Sequence, residues 1–261
     1  MPLESVYLNG GLIGVTRSYF SESTTTATPS FVVGTNYNLS TGTSFTYPSG
    51  IQEGDFIIIA QSNDSGDVST PPSDSSSTSY TALVQYTGSD PDYLISYKFA
   101  DGTESGTGLT INRSNSRGAA VIQVFRGIDE TTPFDVTYTT ASSGGVNGDP
   151  DAPSITTVTD NSMVVAIGFL DDDSGVTVTV PSGYSNLNYG ESSASSGGDS
   201  VTMMASKLLA TAGSENPPGF STTGSDAWQA VTVALRRGTT TTQEYGSGIF
   251  NLQAVLESLS T

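Results

Sequence analysis

The chain has no cysteine and no histidine among its 261 residues. The first absence excludes disulfides and thiolate metal sites. The second excludes His-ligated zinc, and the two together exclude Cys- or His-dependent nucleophile systems. A small disulfide-stapled scaffold is excluded as well, although a large core needs no staples, so the compartment stays open. Basic residues are scarce: 8 Lys+Arg stand against 26 Asp+Glu, a formal charge of −18. Such a surface repels nucleic acid and anionic membrane, which argues against direct binding to either. Long hydrophobic runs are missing too, and no stretch approaches a membrane span. The start, MPLESVYLNGGLIGVTRSYF, has Glu4 where a signal peptide is basic and no continuous apolar region, so export is expected to take another route.

What the chain does contain is Ser, Thr, Gly and Tyr. Gly alone counts 29, and charged residues make up 13%. Long helices need more Glu, Lys, Arg, Leu and Ala than this. Frequent Gly, Pro and Asn breaks predict short strands joined by turns.

One phrase occurs twice. Ile95–Gly106 reads ISYKFADGTESG and Met204–Pro217 reads MASKLLATAGSENP. Around it, other features recur in the same order. Asp55–Ala60 (DFIIIA) matches Ser162–Ile167 (SMVVAI), each a short β-branched run that reads as a buried strand. An acidic loop follows each, NDSGD at 63–67 and DDDSG at 171–175, and then Pro72-Ser73 or Pro181-Ser182. Each half closes on an alternating strand and Arg-Gly, Ala119–Gly127 and Ala230–Gly238. Lys98 and Lys207 lie 109 residues apart, as do Ser73 and Ser182, and Gly127 and Gly238 lie 111 apart. Nearly constant spacing over five features predicts an internal duplication.

The expected fold is all-β: an antiparallel, jelly-roll-like β-sandwich over residues 41–238, with copies at about 43–127 and 152–238. Two separate small sandwiches are the alternative; one larger sandwich to which each half contributes is favoured. The closing strands are apolar on both faces, which predicts central strands covered on each side, with a neighbouring subunit as one candidate cover. In the VFRGIDETTPFD turn, Arg126 is expected to satisfy carbonyls or to pair with Asp129 or Asp135. Trp228, the only tryptophan, is expected in the core.

Residues 1–40 and 239–261 lie outside the repeat. Ser5–Tyr19 reads as a β arm, two apolar runs around Asn9-Gly10-Gly11, a favoured hairpin turn. Ser21–Ser30 reads as a flexible or extended connector. In IFNLQAVLESLST, Leu252, Val255, Leu256 and Leu259 fall at helical spacing, with Asn251 a fitting N-cap. So short a helix cannot stand alone. Tyr7, Leu8, Leu12 and Ile13 at one end, and Ile249, Phe250, Leu252, Val255, Leu256 and Leu259 at the other, are therefore expected to dock on a partner or on the sandwich itself.

Three chemistries are open. Asp171, Asp173 and the backbone after Gly175 have the spacing that opens many calcium loops, and Asn63, Asp64 and Asp67 sit at the corresponding place in the first copy, although no Glu follows at the required distance; solvated Asp turns are the alternative. Asp90, Asp92, Glu104 and Glu215 are the carboxylates that an acid/base pair would draw on. Glu104 and Glu215, however, are repeat equivalents, which points to shared fold history. Tyr80, Tyr86, Tyr93, Tyr97, Tyr184 and Tyr189 suit a glycan surface or an interface.

The pattern GDFIIIA…PPS…YKFADG…AAVIQVFRGIDETTPFDV resembles β-sandwich modules in structural proteins of tailed bacteriophages, especially marine and cyanobacterial ones. VFRGIDETTPFD (Val124–Asp135) is its most specific part, and SVYLNGGLIGVTRSY and GIFNLQAVLESL are similar to the termini of such virion proteins. The resemblance covers most of the chain. It implies a place on the outer surface of a virion and no catalytic residues. A tail fibre or tail-attached adhesin is the expectation, a homo-oligomer with trimer favoured. It would be joined to other virion proteins through both termini, with a host surface glycan as candidate ligand. A capsid decoration or cement protein is the alternative, and an extracellular carbohydrate-binding module the second.

Overall fold

A computed structural model of the chain describes residues 14–64, 66, 68–88, 91–113, 117–171, 175–192 and 198–251. The first strand among the described residues is β1 (Gly14–Thr26). The first half then runs β2 (Ser30–Asn38), β3 (Ser44–Thr46), β4 (Phe56–Asn63), β5 (Ser73–Asp74), β6 (Thr81–Tyr86), β7 (Asp92–Phe99), β8 (Gly108–Thr110) and β9 (Gly118–Arg126). The second runs β10 (Thr139–Ser142), β11 (Ile155–Thr156), β12 (Ser162–Asp171), β13 (Val178–Thr179), β14 (Ser185–Glu191), β15 (Ser200–Leu209), β16 (Ser214–Glu215), β17 (Ser221–Thr222) and β18 (Trp228–Leu235). The last strand among the described residues is β19 (Thr239–Asn251). All pairings between these strands are antiparallel.

The halves repeat one topology. In the first, a five-stranded sheet β2-β9-β4-β7-β6 accompanies a small sheet β3-β8-β5. In the second, β10-β18-β12-β15-β14 accompanies β11-β16 and β13-β17. Position by position these are the same order, with β8 split into β16 and β17. Within each half, successive strands mostly alternate between large and small sheet as in a jelly roll, the exceptions being the neighbours β6–β7 and β14–β15 within the large sheets and β16–β17 in the small ones. Each half is thus its own sandwich, and the two are joined through their large sheets. This replaces the single shared sandwich favoured from sequence.

Three apolar layers result. The middle one lies between the two large sheets: Phe56, Ile58 and Phe125 meet Val165, Phe169 and Val233. Tyr93 stacks on Phe169 across it, centroids 4.4 Å apart. The outer layers fill each half's own sandwich, with Ile57, Ile59 and Ile122 in the first and Val164, Ala166 and Phe220 in the second. Period-two alternation sends neighbours on β4 to different layers, so DFIIIA is buried throughout. Each fully buried isoleucine stabilises the fold by about 1.5–3 kcal/mol. The second cover that the closing strands require is therefore the chain's own small sheet, not a neighbouring subunit. A polar seam fixes the register of the middle layer. The buried Ser62 hydroxyl lies 3.0 Å from the Ser200 and 2.6 Å from the Thr202 hydroxyl, and Gln123 donates to the Asn186 carbonyl at 2.6 Å.

The paired ends form a compact unit of their own. β1 pairs with β19 from Gly14↔Asn251 to Thr26↔Thr239. Of the flexible or extended connector expected over residues 21–30, Ser21–Thr26 is extended, as strand. The tail's opening threonines are strand as well, which fits their β-branched side chains. Ser30–Asn38, read from sequence as part of the arm, is an edge strand of the first large sheet. The chain leaves the sandwich at adjacent points, where the Ala27 N–H donates to the Gly238 carbonyl at 2.9 Å. The proposed Asn9-Gly10 turn and the helix after Asn251 lie outside the described residues.

Candidate functional site

The repeated phrase builds a repeated ion pair. Lys98 sits on β7, on the face opposite Tyr97, and looks into the first half's own sandwich. The turn that follows carries Glu104 back beneath it, and β5 brings Asp74 alongside. Lys98 Nζ lies 2.7 Å from Asp74 Oδ2 and 2.7 Å from Glu104 Oε1. The three side chains are only 1%, 3% and 0% exposed, so one cation and two carboxylates share a dry pocket.

Phenols and hydroxyls close the cluster. Tyr47 donates to Asp74 Oδ2, and its hydroxyl meets that of Tyr80 at 2.7 Å. The Nζ lies over both rings, 5.7 and 5.2 Å from their centroids. Asp74 Oδ1 accepts the Ser76 N–H at 2.9 Å and its hydroxyl at 2.6 Å. Glu104 also accepts backbone N–H bonds from Asp101 and Gly102, at 3.2 and 3.1 Å. Burial pushes the Asp74 carboxyl up, but its bonds to Lys98, Ser76 and Tyr47 prevail and hold it below the usual range. The Tyr47 and Tyr80 phenols are raised, chiefly by burial.

The second copy is simpler. Lys207 Nζ reaches both Glu215 oxygens at 2.9 Å, and Tyr184, which precedes β14 as Tyr80 precedes β6, donates to Glu215 at 3.3 Å. No third acid joins them among the described residues. In the place of β5, which carries Asp74, the second copy has β13, Val178–Thr179, with no acid. Lys207 is also 32% exposed. The turn is held by Lys and Glu in both halves; Asp74 is an addition peculiar to the first.

Other charged residues brace the fold. Arg126 grips Asp55 through two 2.8 Å bonds, not Asp129 or Asp135. Asp129 instead accepts the Thr131 and Thr132 N–H groups. Asp135 accepts those of Val158 and Thr159, with Arg236 at 3.5 Å.

Of the calcium candidates, Asp64 pairs with Arg117 at 2.9 Å, and Asp171 ends β12 opposite Ser200. Asp67 and Asp173 lie outside the described residues. No group of three or more His, Cys, Asp or Glu side chains suited to a metal occurs among the described residues. The acid/base candidates are not brought together. Glu104 and Glu215 serve separate lysines, Asp92 accepts the Gly88 N–H at 3.1 Å, and Asp90 lies outside the described residues.

Tyr80, Tyr93 and Tyr184 are buried. Tyr86 and Tyr97 pack on the middle layer, and Tyr189 and Trp228 on the second half's layer, so these tyrosines form no open sugar-binding face. An open groove of ≈ 350 Å³ crosses the small sheet above Asp74, lined by Ser44, Phe45, Ser73, Ser75 and Thr110 among others. Of the docking candidates, Ile249 and Phe250 lie on β19 opposite Thr16 and Val15. Tyr7, Leu8, Leu12, Ile13, Leu252, Val255, Leu256 and Leu259 lie outside the described residues.

Lys98 was visible in the sequence as part of the repeated phrase, but its acidic partners were not. Lysine is almost never fully buried without a partner, and a lysine inside an apolar strand was the available signal. Comparison of the chain with protein-family models, with curated proteins and with solved structures finds no match in any of the three.

Proposed function

We propose that the protein is a non-enzymatic structural component of a tailed-phage particle, a tail fibre or tail-attached adhesin. Its paired ends anchor it and its double sandwich faces outward. The observation that carries this reading is the terminal ribbon. Two strands joined over thirteen paired positions form a unit apart from the sandwich. A two-stranded sheet is marginal in water by itself, so the ribbon gains stability by lying against another surface. The sequence is also apolar near both ends, from Tyr7 to Ile13 and from Ile249 to Leu259. Three copies whose ribbons cover one another would satisfy this need, which is why a trimer is favoured. The formal charge of −18 keeps the remaining surfaces apart.

Other features agree with a scaffold. Glu104 and Glu215, the repeated acids, are each neutralised by a lysine. The groove over the first small sheet offers hydroxyls and the Phe45 ring, the chemistry with which an adhesin meets a host glycan.

The test is the protein content of purified particles of the phage that encodes the chain. A tail component is expected at far lower copy number than the capsid protein, and antibodies against it should block adsorption. A copy number equal to that of the capsid protein would move the assignment to a decoration protein. Absence from particles would overturn it in favour of a free carbohydrate-binding module.

A further inference from the structure

The first-copy cluster holds more charge than a brace requires. Lys207 and Glu215 show that one lysine and one glutamate suffice to pin the repeated turn. The first copy adds a second carboxylate, seals all three groups from water and surrounds them with tyrosine rings. Burying a surplus carboxylate is costly unless something compensates it.

We infer that Lys98 and Asp74 form an intramolecular isopeptide bond, with Glu104 as the proton relay. Nζ is in hydrogen-bond contact with Asp74 Oδ2 at 2.7 Å, and the carbon it must attack is the atom bonded to that oxygen. Glu104 Oε1, 2.7 Å from the same nitrogen, takes one proton from the ammonium and frees its lone pair. Nζ then bonds to Asp74 Cγ. The Ser76 N–H, already 2.9 Å from Oδ1, stabilises the charge that develops on that oxygen, with the Ser76 hydroxyl beside it.

The step balances. Glu104 returns its proton to the departing Oδ2, which lies beside the Tyr47 hydroxyl, and a second nitrogen proton follows by the same route. One ammonium and one carboxylate become one amide and one water. Glu104 is regenerated, and no oxidant, nucleotide or metal is consumed. Discharging two buried ions favours the forward direction, and exclusion of water slows hydrolysis. The second copy cannot do this chemistry, because it has the amine and the relay but no acid on β13, the counterpart of β5.

Intact-mass measurement of the folded full-length chain tests the inference. The expected mass lies about 18 Da below that of the 26.9 kDa sequence, one water lost. Proteolysis and fragment-ion sequencing should yield a branched peptide that joins the Asp74 segment to Lys98. Asp74→Ala, Lys98→Arg and Glu104→Gln should restore the full mass, and Lys207→Arg should not. A succinimide at Asp101-Gly102 also loses water, but it gives a linear peptide and opens in mild base. The unmodified mass for the folded chain, a linear peptide, or a loss that survives Asp74→Ala would each overturn the inference. The decisive peptide comes from the unsubstituted chain, so a variant that fails to fold leaves the test standing.

Discussion

Replacing Lys98 by methionine removes the only cation from a pocket that holds two carboxylates. Asp74 and Glu104 are 3% and 0% exposed, so water cannot compensate the loss. Breaking a buried ion pair in this way costs about 3–5 kcal/mol. Lys207→Met is the internal control. Its side chain is 32% exposed and faces one carboxylate, which brings the expected cost to about 1 kcal/mol. In a unit of this size 1 kcal/mol moves Tm by about 2–4 °C. Lys98→Met should therefore lower Tm by roughly 10 °C and Lys207→Met by roughly 3 °C, measured by calorimetry at neutral pH. Where the Lys98–Asp74 amide has formed, the variant also loses a cross-link. The residues it joins are 24 apart, and closing a loop of that length adds about 3.5 kcal/mol. Intact mass tells the two cases apart. Equal shifts for the two lysines, or a larger one for Lys207, would refute the reasoning.

Tyr93 is pushed up to about 12 by burial, and Tyr37, Tyr47, Tyr80 and Tyr184 are raised as well, chiefly by burial. The raised folded-state values favour the neutral phenols, so their contribution is complete below pH 10 and declines as pH rises through those values. In a phenolate absorbance titration these five of the 12 tyrosines should ionise only as the chain unfolds; all twelve titrating near pH 10 with the fold intact would count against the core described. At the acid end the sign reverses. Asp74 is depressed, so its contribution is present above its unfolded value of 3.8 and falls away as pH drops through the folded one; Asp74→Asn should flatten the Tm profile below pH 4. A Cβ at Gly190 would lie 3.0 Å from the Ala120 carbonyl oxygen and 3.1 Å from Asn36 Cβ, both in the other half. Gly190→Ala should therefore cost about 1–3 kcal/mol in urea unfolding. Gly213→Ala, with nothing within 4 Å, should stay within about 0.5 kcal/mol.

The repeat was legible because it fixes the order of chemically unusual neighbours. A lysine inside an apolar strand and a glutamate in a glycine turn recur at nearly one spacing, and the pairing Lys98–Glu104 and Lys207–Glu215 is what that order builds. DFIIIA was legible for the same reason, since a β-branched run buried on both faces needs no alternation. The back-to-back arrangement was not, because Ile57 and Ile58 look alike in sequence although they enter different layers. Ser30–Asn38 falls among the residues outside the repeat, and its place as a strand depends on β9, about ninety residues later. The ribbon was hidden for the same reason, since Thr26 and Thr239 meet across the whole sandwich sequence. Asp74 could not be assigned to Lys98 from spacing, because the acid arrives on a two-residue strand whose position only the fold sets.

The central proposal is that the terminal ribbon is the docking element of a phage-particle protein and the double sandwich is its cargo. The most direct measurement compares phage particles assembled with the full chain and with residues 27–238 alone. The shortened chain contains every strand of both sandwiches and should fold with an unchanged calorimetric transition, yet be missing from purified particles. Recovery of the shortened chain in particles at the full chain's level would contradict the account.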